Sequence, residues 1–153
     1  MSEQRDARLG ALVVGALVAA LFLGTLTTLA TRFLGIEYVD HYGTQWFYWF
    51  AEHQLRTGEG FGHSDLMFFP YGKDIYLHTG ANVLDAILAV PFRALLGSVL
   101  GYNLFVIAGL MVSAWAFFKL ALDFTEDRNA ALIGAGLVTL SPFVLSEVAC
   151  TWT

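Results

Sequence analysis

Charge is what this sequence has least of. Asp, Glu, Lys and Arg make up 14% of its 153 residues, where soluble domains carry about a quarter. Bases are scarcer still: eight Lys and Arg against thirteen Asp and Glu, a net charge of -5. No basic stripe exists to neutralise phosphates, which excludes nucleic acid as a partner. A single cysteine, Cys150, lies in an apolar run and permits neither an intrachain disulfide nor a cysteine metal cluster. It reads as a small buried apolar residue. Internal repeats and low-complexity segments are also missing. What fills the chain is apolar: 57% of residues are hydrophobic and the mean hydropathy is +0.62.

The apolar residues fall in long runs. Residues 9–30 carry no charge, and at about 1.5 Å per residue they cover a hydrocarbon core of roughly 30 Å. Thr28-Leu29-Ala30 loosely resembles a signal-peptide cleavage site, but the run is longer than a cleaved apolar region and reads as an uncleaved first span. Arg5 and Arg8 before it point to a cytoplasmic N-terminus. Further spans are expected over residues 81–100, interrupted by Asp85, Pro91 and Arg93, over 101–122, and over 130–148, where Ser141-Pro142 predicts a kink. The expected fold is all-α: a polytopic membrane protein with about four transmembrane helices in a single domain. The chain ends without a polar tail or basic anchor, so it is expected to be the front part of a longer protein.

Residues 31–80 differ from the rest. They hold all four histidines and six acids but only three bases, Arg32, Arg56 and Lys73. An acid-rich, base-poor loop fits the non-cytoplasmic side, and a loop of this length is usually functional. Within it, residues 41–56 predict an aromatic-rich amphipathic helix lying at headgroup level, closed by Gly58. Residues 68–72, Phe-Phe-Pro-Tyr-Gly, predict a tight turn. Four crossings would put this loop and the turn around Glu126 outside, with Arg93 near the inner surface.

Chemistry concentrates in the same loop. Glu37 and Asp40, three residues apart, present two carboxylates at the entrance of the surface helix. Either suits a general base that takes a proton from an acceptor hydroxyl, and the pair suits a divalent cation. Asp40 also stands where a helix N-cap belongs. The spacings of His41, His53, His63 and His78 match no zinc pattern, and no metal site is assigned to them. Asp85 is an ionisable residue in an apolar helix, a functional candidate or a residue one turn inside the interface. Arg93, on roughly the same helix face, either snorkels to headgroups or holds a lipid phosphate.

An ordered set of short motifs then carries a resemblance. Asp40 follows the first span, and Leu55-Arg56-Thr57-Gly58 ends the aromatic helix. Phe69-Pro70-Tyr71-Gly72-Lys73-Asp74 comes next, then Val90-Pro91-Phe92, Gly97, Tyr102-Asn103-Leu104 and Leu140-Ser141-Pro142-Phe143. This order resembles the N-terminal part of polytopic membrane glycosyltransferases of the GT-C fold. The bacterial branch, similar to dolichyl-phosphate-mannose mannosyltransferases and aminoarabinose transferases, is the nearest in look. The resemblance implies transfer of a sugar from a polyprenyl-phosphate donor to an acceptor on the non-cytoplasmic side of the bacterial inner membrane. It implies that Asp40 is the acid essential to catalysis, as general base or as ligand of a divalent cation, with Glu37 its neighbour. It further implies that Asp65, Tyr71, Lys73 and Asp74 line the outer cavity. Two features depart from the family: such enzymes have eight or more membrane helices, and no Asp-Asp or Asp-x-Asp motif stands near Asp40. A transporter component would need polar residues spread through its helices, and here they gather in the loop. A non-catalytic membrane scaffold of the same fold is the other reading.

Overall fold

The computed structural model describes residues 2–35, 41–78 and 83–148. Helices dominate, as the hydropathy predicts, but their ends fall at other places. Helix α1 (Ser2–Leu21) stops short of the expected end at residue 30. Threonines explain the difference. The hydroxyls of Thr25, Thr28 and Thr31 donate to the carbonyls of Phe22, Thr25 and Thr28, three residues back. The backbone tightens with them: Thr25 N–H donates to Phe22 O and Thr28 N–H to Thr25 O, so the α-helix gives way to a 3-10 turn (Leu23–Thr25) and successive turns.

Helix α2 (His41–Thr57) matches the predicted surface helix. Gly58, at φ 75°, ends it, its N–H donating to Gln54 O at 2.9 Å. A short antiparallel pair follows, β1 (His63–Ser64) and β2 (Lys73–Asp74), with His63 opposite Asp74 and Ser64 opposite Lys73. The expected turn at residues 68–72 is the tip of this hairpin. After the single turn α3 (Ile75–His78) come α4 (Val83–Leu96) and α5 (Ser98–Thr125), joined by Gly97 alone. Gly97 takes φ 82°, a left-handed conformation that glycine adopts without penalty. Gly101 then packs on the backbone of Phe92 and Arg93, where a Cβ would lie 2.6 Å from Arg93 Cα. Asp127 caps α6 (Arg128–Thr139), its side chain accepting from the N–H groups of Asn129 and Ala130. The run expected at 130–148 is broken at Leu140-Ser141, and α7 (Pro142–Val148) restarts at the proline.

Helix α5 is the hub, packing against α1, α4 and α6, while α2 lies along α4. Two anchor points give the direction of α1. Gly10 near its start meets the ring of Phe118, and the segment after its end meets Asn103. Helices α1 and α5 therefore run antiparallel. The α4–α5 corner stands at the same end of the bundle as residues 29–34, which corrects the expectation that Arg93 lies at the opposite end. The turn at residues 125–128 shares the other end with the N-terminal part of α1.

Burial in this bundle favours small residues. Among the described residues two cores form, one of Ala114, Ala131 and Ala135 with Val14, Val18, Phe22, Leu34 and Phe118, the other of Ala86 and Ala89 with Tyr48 and Ala51. Large apolar side chains point outward: Val112 is 64% exposed and Leu137 70%, and Trp115, Leu120, Phe124 and Ile133 are exposed as well. Among the described residues one helix, α5, is long and apolar enough to cross a membrane, and only 11% of its apolar stretch is buried.

Candidate functional site at the loop end of the bundle

Three arrangements meet where the long loop joins the helices. The first is built on Asn103, fully buried near the start of α5. Its carboxamide oxygen accepts from Leu34 N–H at 2.8 Å, and its amide donates to Leu29 O and Arg32 O, each at 2.7 Å. One N–H and two carbonyls leave the carboxamide a single orientation. Past that latch, the rings of Phe33, His41 and Tyr102 pack edge to face, 5.2–5.6 Å between centroids, and Tyr48 joins them on Tyr102. The start of α2 is thereby fixed to the N-terminal end of α5.

The second arrangement is a buried polar cluster between α2 and α4. Arg93, 7% exposed, donates through Nε to Glu52 Oε1 and through an Nη to Gln45 Oε1 at 3.1 Å. The same guanidinium lies 5.7 Å from the centroid of the Tyr48 ring and reaches Ser98 O at 3.5 Å. A charge in an apolar helix needs a partner, and Glu52 supplies it. Burial pushes the Tyr48 phenol well above its ordinary pKa of 10.0; Tyr102 and Asp85 push the same way and Arg93 opposes them. Gln45 Nε2 and Gln54 Oε1 are buried in the same region without hydrogen-bond partners.

The third is the hairpin. His63 Nε2 donates to Asp65 Oδ1 at 3.0 Å, both side chains exposed. Asp74 accepts from Tyr76 N–H at 3.0 Å, and the Lys73 ammonium stands 5.4 Å from the Phe68 ring centroid. The hairpin is tied back to the helices: Ile75, wholly buried, donates its N–H to Gly62 O, and Gln54 Nε2 donates to Gly60 O at 2.6 Å.

The chain matches no protein-family model, and no curated protein and no solved structure matches it. The residues themselves therefore carry the functional argument. Of the predicted site residues, Asp65, Tyr71, Lys73 and Asp74 share one hairpin. Arg93 is not with them; its guanidinium is turned to Glu52 and Gln45. Asp40 and Glu37 lie outside the described residues, but His41, next to Asp40, is held by the aromatic collar. Among the described residues no three His, Cys, Asp or Glu side chains come together as a metal site. The sequence assigned no role to Glu52 or Gln45, and Asn103 stood there only as part of the Tyr102-Asn103-Leu104 motif. The available signal for Glu52 was Arg93 itself, an arginine in an apolar helix that demands an acid nearby.

Proposed function

We propose that this chain is an integral, polytopic membrane protein and the N-terminal part of a GT-C-type glycosyltransferase. The observation that carries the membrane reading is the outer surface of α5 and α6, where Val112, Trp115, Leu120, Phe124, Ile133 and Leu137 are exposed while Ala114, Ala131 and Ala135 are buried. Water disfavours so much exposed apolar surface on one bundle. In lipid nothing drives large apolar side chains inward, and helices associate through small residues that let backbones approach. The bundle of α1, α5 and α6 has that second pattern.

The bases divide equally between the two ends: Arg5, Arg8, Lys119 and Arg128 at one, Arg32, Arg56, Lys73 and Arg93 at the other. Direction comes from Arg5 and Arg8, which stand immediately before the first apolar run and favour a cytoplasmic N-terminus, and from the acid-rich loop at the other end. In this reading residues 31–80 face outward. In this account α5 crosses the membrane, and α1 crosses beside it because its uncharged run continues past Leu21 to residue 30. The 14 residues of α4 cover about 21 Å, short of a crossing, and α4 enters from the outer side with α2.

In sequence Asp40 immediately precedes His41, which the aromatic collar anchors at that outer end. The Asp40 carboxylate takes the proton of an acceptor hydroxyl, whose oxygen attacks the anomeric carbon of the sugar. The bond to the carrier oxygen breaks and polyprenyl phosphate leaves. The test is Asp40→Asn in the full-length protein, with consumption of a synthetic polyprenyl-phosphate hexose followed by mass spectrometry. Turnover is expected to fall by about 10²–10⁴-fold with membrane insertion unchanged. Undiminished turnover would remove Asp40 from catalysis. If the unsubstituted protein also consumes no donor, the scaffold reading stands in its place.

A further inference from the structure

The hairpin tip is built in a way that the transfer reaction does not require. Leu66, Phe68, Phe69 and Tyr71 crowd into six residues, and none of them turns inward: Phe69 is 84% exposed and Tyr71 88%. The tip is nevertheless held in shape. Tyr71 N–H donates to Phe68 O at 3.0 Å, and Gly72 at φ 69° lets the ring of His63 and the carboxylate of Asp65 close against the backbone. Phe68 itself is held at φ 55°, a strained conformation for an aromatic residue. A stiff stem thus presents a cluster of large apolar side chains away from both cores.

Polarity is graded along the hairpin. The tip holds Leu, Phe, Phe, Pro and Tyr, while His63, Asp65, Lys73 and Asp74 stand on the stem. The Lys73 ammonium stands over the Phe68 ring, 5.4 Å from its centroid, where the stem meets the aromatic cluster. Such a gradient matches a flat border between an oily and a wet layer. Phenylalanine and tyrosine with a nearby lysine are the residues that settle at the headgroup level of bilayers. The chain leading into the stem is anchored, Gly60 to Gln54 of α2 and Phe61 against the core between α2 and α4, beside helices whose outer faces are apolar, so the tip is tethered close to a membrane at high effective concentration.

We propose that the tip, residues 66–71, inserts into the headgroup–acyl boundary of the outer leaflet and pins the loop to the bilayer. This rests on the membrane reading given above, and the experiment separates the two. The full chain carrying Cys150→Ser receives one cysteine, Phe69→Cys, Leu120→Cys or Glu59→Cys, and an environment-sensitive fluorophore. Each protein is reconstituted in vesicles of phosphatidylcholine and phosphatidylglycerol containing lipids with a quencher near the headgroup or deep in the chain.

The probe at Phe69 is expected to be quenched by the shallow lipid about threefold more than the probe at Glu59. The probe at Leu120, on the outer face of α5, is expected to respond to the deep quencher. Quenching at Leu120 with Phe69 no different from Glu59 would overturn the insertion and leave the membrane reading intact. Quenching at neither would overturn both. A Phe69 probe that is shielded from water yet untouched by either quencher would mean that protein covers the tip, and would also overturn insertion.

Discussion

The two halves of this molecule are held together by different means. Where α1, α5 and α6 meet, the contact is apolar: alanines, valines, Leu34, Phe22 and Phe118, with Gly10 giving way to the Phe118 ring. Where α2 meets α4 and the start of α5, the contact is aromatic and charged, centred on Arg93, Glu52, Gln45 and Tyr48. Apolar packing of small residues suits permanent helices in lipid and specifies little beyond proximity. A buried ion pair adds little net stability and is costly to break, so it fixes one arrangement of its elements. On the membrane reading proposed above, the first half holds the chain in the bilayer and the second fixes the loop around α2.

Substitutions can break that contrast, beginning with the largest effect. Replacing Glu52 by Leu or Arg93 by Met alone leaves a buried charge without its partner and is expected to cost about 3–5 kcal/mol. The double substitution is expected to recover most of the loss, as seen in thermal unfolding of the purified protein in detergent. Additive losses would show that the pair does not act as a unit. Asn103→Ala cuts the seam between the halves and strands an N–H and two carbonyls, at about 1–3 kcal/mol. It should also make the segment 29–34 accessible to protease, a readout that a general loss of packing in the apolar half would not give first.

In the apolar half, Gly10→Val places a side chain where the Phe118 ring lies, and overpacking of this kind costs about 1–3 kcal/mol. Trimming the outward Leu137 to Ala should change stability in detergent by about 0.5 kcal/mol or less, the range of surface substitutions. The last expected effect depends on pH. Tyr48 stays neutral in the folded protein above pH 10, where an unfolded tyrosine ionises. Its contribution is therefore full below about pH 10 and is lost as pH rises toward the folded-state value. Tyr48→Phe should remove that alkaline loss, measured as the shift in Tm between pH 9 and pH 11.

Much of this was legible in the sequence, and the exceptions share a cause. The aromatic helix, its glycine stop, the turn at residues 68–72 and the break at Ser141-Pro142 all depend on neighbours within a few positions. The early end of α1 did not show, because hydropathy treats Thr25, Thr28 and Thr31 as tolerable in a span and says nothing of hydroxyls competing for the helix carbonyls. The division between the second and third apolar runs was set at residue 101, four positions late, because the left-handed Gly97 and the packing glycine Gly101 look alike in a sequence. The end of the bundle at which Arg93 stands required tertiary pairings: Gly10 with Phe118, Asn103 with the segment 29–34, and Glu52 with Arg93. Each joins residues 41 or more positions apart. The candidate site was legible as a region, with the hairpin residues together, but not in the separation of Arg93 from them.

The account stands most directly on which residues share a side of the membrane. Single cysteines at Ser98, Asp65 and Glu126, in the Cys150→Ser background, can be reacted with an impermeant maleimide in sealed right-side-out membranes. The account predicts that Ser98→Cys and Asp65→Cys label together from outside and Glu126→Cys only after the membrane is opened. Labelling of Glu126→Cys together with Asp65→Cys from outside while Ser98→Cys is protected would restore four full crossings. It would contradict the architecture described above.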